Sequence, residues 1–157
     1  MQIMGRLVIL ILLLTSFSFH ALTAQKNKAI YTELLGAGLL VSFNYDTRIS
    51  DQEDGLGMRI GLGVYPTPYN NNVALNIPFQ INYLLGKGNH KIELGLGVTI
   101  SNNLIAPSSA IMYRYQQVGR SFFFRFGLSP LYIVKPKNVR YLIPEYILPG
   151  FSFGRSF

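Results

Sequence analysis

Between residues 55 and 65 the chain alternates strictly, with Leu56, Met58, Ile60, Leu62 and Val64 on one parity and Gly57, Arg59, Gly61, Gly63 and Tyr65 on the other. A strand sends successive side chains to opposite faces, so this segment predicts a strand with one apolar and one small or polar side. The same split recurs over 73–83, where Val73, Leu75, Ile77, Phe79, Ile81 and Tyr83 oppose Ala74, Asn76, Pro78, Gln80 and Asn82. Over 91–100, Ile92, Leu94, Leu96, Val98 and Ile100 oppose Lys91, Glu93, Gly95, Gly97 and Thr99. Noisier alternation predicts further strands over 29–36, 39–49, 110–117, 121–133 and about 147–157, which brings the total to eight.

The polarity of the two parities decides what kind of barrel these strands close. A soluble lipocalin-like barrel would turn its apolar parity inward around a greasy cavity. Here the glycine-rich and charged parity is too small and too polar for that role, and the other parity is continuously apolar. The expected fold is all-β: an eight-stranded antiparallel up-and-down transmembrane β-barrel, apolar side outward and polar side inward. An even strand count lets both chain ends lie on one side of the membrane. On that side fall the short turns 50–54, 86–90 and 118–120, and on the other the loops 36–38, 66–72, 102–109 and 135–145. Tyr45, Tyr83, Tyr115, Phe122, Phe124, Phe153 and Phe157 then gather near the first side, as an aromatic girdle at a membrane boundary would.

The inward parity carries Glu33, Asp46, Arg48, Arg59, Glu93, Arg114 and Arg125, with Lys91 beside them. Facing lipid near the bilayer midplane, an Arg or Lys would cost about 2–4 kcal/mol. Facing inward, it can meet a carboxylate through directional hydrogen bonds. The expected result is a salt-bridged plug that fills the lumen. The interior of about eight strands is just wide enough to be filled by side chains, and Gly57, Gly61, Gly63, Gly95, Gly97, Gly127, Gly150 and Gly154 leave room for long arginines.

The two ends of the chain add a location. Arg6, the apolar run 7–14 and the small residues leading to Ala24 read as a cleavable signal peptide, 1–24, ahead of one barrel domain, 25–157. Beyond it, no apolar run approaches the roughly 20 residues of a spanning helix. The last residues, Gly150-Phe151-Ser152-Phe153-Gly154-Arg155-Ser156-Phe157, alternate small with mostly aromatic positions and stop on phenylalanine. With the signal peptide, the alternating strands and the aromatic girdle, this ending resembles the small, about eight-stranded Gram-negative outer-membrane β-barrel proteins. The resemblance covers essentially all of 25–157, and Arg155 departs from the aromatic or apolar residue often found two places before the terminus. It implies secretion through the inner membrane to the cell outer membrane. It also implies Phe153 and Phe157 as an assembly signal, and periplasmic chaperones, the barrel-assembly machinery and outer-membrane lipids as partners.

Composition narrows the chemistry. The absence of cysteine excludes a disulfide framework, a thiol nucleophile, a zinc-thiolate site and lipid attachment through an N-terminal cysteine. The net charge of +7 is spread along the chain without a nucleic-acid-binding motif, so the expected partners include no nucleic acid and the basic excess suits anionic lipid phosphates. Of two histidines, His20 leaves with the signal and His90 falls in a turn. Some small outer-membrane barrels modify lipids with a histidine, a serine and a carboxylate near the outer leaflet, chemistry that needs a base within reach of a hydroxyl. That base is missing, so no catalytic residue, cofactor or metal is expected. Lys135, Lys137 and Arg140, beside Tyr141 on the longest outward loop, are candidate contacts for lipopolysaccharide phosphates. The expected function is a non-enzymatic outer-membrane barrel with a side-chain-filled polar lumen, serving envelope integrity or surface interaction. A lipid-modifying enzyme and a narrow solute channel are the alternatives, and nothing in the pattern sets an oligomeric state.

Overall fold

The computed structural model describes residues 27–50, 52–66, 72–102, 104–117, 121–132 and 146–157. Eight strands follow one another in chain order around a closed antiparallel barrel: β1 (Lys28–Leu35), β2 (Val41–Arg48), β3 (Gly55–Pro66), β4 (Val73–Leu85), β5 (His90–Ser101), β6 (Leu104–Gln116), β7 (Phe122–Leu131) and β8 (Tyr146–Ser156). The up-and-down architecture read from the alternation is therefore the architecture observed. Closure comes from β8 pairing with β1, from Ala29↔Ser156 to Leu35↔Gly150. Beyond the last pair, the Phe157 N–H donates to the Lys28 carbonyl at 2.9 Å and the Lys28 N–H donates to the Phe157 carbonyl at 3.1 Å. Full closure leaves no sheet edge unpaired, which is how an all-antiparallel sheet avoids edge-to-edge association.

The period-two pattern sorts side chains as the sequence predicts. Along β4 every residue from Leu75 to Leu85 alternates between exposed and buried. Arg59, Glu93 and Arg125 on the inner face are 0% exposed, whereas Leu96 on the outer face is 71% exposed. Among the described residues no helix is long and apolar enough to cross a membrane.

Two connections differ from expectation. Residues 102–109 do not form an outward loop: the chain reverses between Ser101 and Leu104, which are paired, and β6 runs from there. The small Ala106-Pro107-Ser108-Ser109 stretch hides the alternation, yet Ala106, Ser108 and Ala110 are buried while Ile105 and Ile111 are exposed. Pro107 faces outward, and its carbonyl accepts the Tyr132 N–H at 2.8 Å, so it stays in the sheet despite having no N–H to give.

The second difference is larger. Residues 36–38, expected outside, form a buried 3-10 turn, η1 (Gly36–Gly38), that folds into the barrel mouth and lies against β1 and β3 through β8. Gly-Ala-Gly has no bulk to clash with the lumen and no side chain that needs water. Its carbonyls are met from the wall: Thr99 Oγ1 donates to Ala37 at 2.6 Å and Asn76 Nδ2 donates to Gly38 at 3.1 Å. The chain enters and leaves this turn through Leu35 at φ 60° and Leu39 at φ 68°. Such angles are uncommon for side-chain-bearing residues and strained for bulky ones. Smaller shifts lie at strand ends: His90 begins β5 instead of closing the preceding turn.

Candidate functional site: the charged lumen

The barrel presents two distinct ends. The terminal end holds the start of β1, the end of β8 and the β2–β3 and β4–β5 connections; the plug end holds η1. Between them the inner face gathers all seven of the charged residues assigned inward, each 5% exposed or less. They come from six strands: Glu33 from β1, Asp46 and Arg48 from β2, Arg59 from β3, Glu93 from β5, Arg114 from β6 and Arg125 from β7.

These residues form one alternating chain. Arg59 Nη1 donates to Glu33 Oε1 at 3.1 Å, and the same oxygen accepts Arg125 Nη2 at 2.5 Å. Arg125 Nη1 also donates to Glu93 Oε1, whose other oxygen accepts Arg114 Nη1 at 3.2 Å. Arg114 Nη1 reaches Asp46 Oδ1 at 3.2 Å, and Asp46 Oδ1 accepts Arg48 Nη2 at 2.6 Å. The order is therefore Arg59, Glu33, Arg125, Glu93, Arg114, Asp46, Arg48. Four guanidiniums against three carboxylates leave one formal positive charge. Desolvating such ions is expensive, and only close geometry with further hydrogen bonds offsets it. Those further bonds exist: Asn82 donates to Asp46 Oδ2 at 2.6 Å and accepts Arg48 Nη2 at 2.5 Å, Gln116 accepts Arg114 Nε at 3.1 Å, and Ser152 accepts Arg125 Nε at 3.3 Å.

Inner aromatics, which charge parity alone did not single out, support the chain. Tyr31 and Phe123 stack with centroids 4.8 Å apart, next to Ala29, toward the terminal end. The Arg125 guanidinium lies 4.8 Å from the Tyr31 ring and that of Arg114 lies 4.7 Å from the Phe123 ring, so each cation also meets an aromatic face. The signal for them was present: Tyr31 shares parity with Glu33, and Phe123 with Arg125. Lys91 is buried but stands apart from the chain, with Nζ 3.5 Å from Glu53 of the β2–β3 connection.

The inward glycines are covered by neighbours. A side chain at Gly57 would meet the Arg48 guanidinium, one at Gly61 would meet Asn44, and one at Gly97 would meet Gln80 and the Phe79 carbonyl. With η1 in one mouth and the charged chain across the middle, the lumen is filled by polar side chains. Several of the ion pairs are struts between strands that are not neighbours: β1 to β7, β5 to β7 and β2 to β6. Their chemical capacity is to hold the barrel round and in register.

On the outer face, Phe153 and Phe157 are exposed toward the terminal end. Tyr45, Tyr83, Tyr115, Phe122 and Phe124 lie on the same outer face. Tyr113 and Phe126 extend this aromatic surface, with centroids 5.2 Å apart. His90 joins it: Nδ1 is 2.5 Å from the Tyr113 hydroxyl and the ring packs edge-on against Tyr115 at 5.3 Å. Its partner is thus a phenol on the outer wall, opposite in facing to the buried carboxylates. Among the described residues no group of three or more histidines and carboxylates is arranged to hold a metal ion. The signal segment 1–24, the turn 118–120 and the candidate lipopolysaccharide contacts Lys135, Lys137 and Arg140 lie outside the described residues. No protein-family model, no curated protein and no solved structure matches the chain.

Proposed function

We infer that this chain is a non-enzymatic outer-membrane β-barrel protein of a Gram-negative envelope, closed to solutes and serving envelope integrity or surface interaction. The observation that carries the reading is the inverted polarity of the barrel: arginines and carboxylates are buried inside, while leucine, isoleucine and phenylalanine form a continuous outer belt. An apolar surface of that extent on a soluble monomer would be a liability, and a lipid bilayer is the solvent that suits it. The aromatic residues toward the terminal end fit a membrane boundary. Phe157 sits at the seam where β8 meets β1, which supports its reading, with Phe153, as the assembly signal for the barrel-assembly machinery. On this reading residues 1–24 direct secretion, periplasmic chaperones carry the chain, and Lys135, Lys137 and Arg140 meet lipopolysaccharide phosphates.

The test is electrophoresis of refolded residues 25–157 in detergent, unboiled against boiled, with far-ultraviolet circular dichroism and flotation with lipid vesicles. A heat-dependent mobility shift, a β spectrum and co-flotation are expected. A protein that stays soluble and monomeric after detergent removal sinks the proposal. Planar-bilayer recording separates the closed barrel from a channel, because the filled lumen is expected to give no discrete conductance steps. Envelope lipid profiles with and without the gene separate it from a lipid-modifying enzyme.

A further inference from the structure

The lumen is not uniform along its axis. From Arg48 to Arg125 most polar side-chain atoms have named partners, but between Arg59 and η1 they do not. Arg59 is wholly buried, gives Nη1 to Glu33, and leaves Nε and Nη2 without a partner among the described residues, as Glu33 leaves its second oxygen, Oε2, beside η1. Three amide oxygens of the wall are likewise unpartnered among the described residues: Asn44 Oδ1 on β2, and Asn76 Oδ1 and Gln80 Oε1 on β4. Strand register places Gln80 directly opposite Arg59, Asn44 opposite Gly61 and Asn76 opposite Gly63. All four groups therefore share one inner patch on three adjacent strands, with glycine at its centre.

The amide nitrogens are already committed, which orients the oxygens. Asn44 Nδ2 donates to Ser42 Oγ at 2.9 Å, Gln80 Nε2 to Ser108 Oγ at 3.4 Å, and Asn76 Nδ2 to Gly38. The ladder between β3 and β4 is also interrupted here. Pairing between β3 and β4 reaches Ile60↔Phe79 and resumes at Gly63↔Asn76, because Pro78, which faces Gly61 in that register, has no N–H to give.

The mixture of groups selects the class of ligand. An anion would satisfy Arg59 but face three carbonyl oxygens, and a metal cation would satisfy the oxygens but face a guanidinium. A molecule that both accepts and donates suits all four, and the smallest is water, which in protein interiors makes about three such bonds. We propose that this patch is a buried hydration site of at least two water molecules, since each has only two hydrogens to donate, which together accept from Arg59 Nε–H and Nη2–H, donate to the amide oxygens of Asn44, Asn76 and Gln80, and are roofed by η1.

The test is a crystal structure of refolded residues 25–157 grown with bromide, at a resolution that shows ordered water and at the bromide absorption edge. Oxygen-sized peaks at about 2.7–3.2 Å from Arg59 Nε or Nη2 and from the amide oxygens, without anomalous signal, are expected. A bromide peak would make this an anion site and overturn the proposal, as would side chains turned to pair directly with no density between them. In micelles the Arg59 Nε–H resonance is expected to show a water cross-peak that Arg125 Nε–H, bonded to Ser152, lacks. Absence of that cross-peak also overturns it.

Discussion

The two halves of the lumen are closed by different physics. From the middle of the barrel toward the terminal end, charges from six strands meet in one alternating chain, each carboxylate shared by two arginines. Toward the plug end, the wall carries amides and glycines, and a short piece of backbone fills the space. A charge chain is demanding, because every member must find a partner at hydrogen-bond distance from a particular strand position. Such a chain locks register as it fills volume. The backbone plug is held, among the described residues, by two side-chain donors, Thr99 and Asn76, and accepts strain at Leu35 and Leu39 in return for its fit. The charged half is therefore expected to be the rigid part of the barrel and the plug half the adaptable one.

The sharpest way to break this contrast is Glu93→Gln. It leaves Arg114 and Arg125 short of a buried counter-charge, and removing one partner of a buried pair costs about 3–5 kcal/mol. Denaturant unfolding in lipid vesicles should show that loss; a loss under 1 kcal/mol would mean the chain is decorative. Next in size, Leu96→Arg puts a charge at the middle of β5 on the outer face, where the bilayer reading predicts a loss of about 2–4 kcal/mol in vesicles. Because Leu96 lies outside the lumen, an unchanged midpoint would argue against a lipid-covered wall. In the plug half, Thr99→Ala removes one hydrogen bond and is expected to cost about 1 kcal/mol. Faster hydrogen exchange at 36–38, with the charged half unchanged, should accompany it. Last, Leu35→Gly relieves a positive φ and should be neutral to slightly stabilising, by up to about 1 kcal/mol, since the relief competes with the greater freedom of glycine in the unfolded chain. A clear destabilisation there would show that Leu35 packing outweighs its backbone strain.

Legibility followed the strength of the alternation. β3, β4 and β5 could be read almost residue by residue because large apolar side chains occupy every second place, and a one-residue slip would reverse both faces. β6 was half lost because Ala106, Pro107, Ser108 and Ser109 are alike in size and polarity on both parities, so its first turn of strand reads as loop. The charged site was legible as a set, since parity sends Glu33, Asp46, Arg48, Arg59, Glu93, Arg114 and Arg125 inward. Its order was not, because neighbours in the chain of ion pairs stand up to 92 residues apart in sequence.

The sequence by itself determined the strand number, the inward and outward sides, and the sign of the barrel's polarity, because period-two alternation is a local property of the backbone. Only the tertiary structure decided that Arg125 bridges Glu33 and Glu93, that Tyr31 and Phe123 stack beneath the guanidiniums, and that Gly36–Gly38 turns into the lumen instead of away from it. Those outcomes depend on which side chains face one another across a closed cylinder and on how much volume they leave, and closure brings together residues that no local pattern relates.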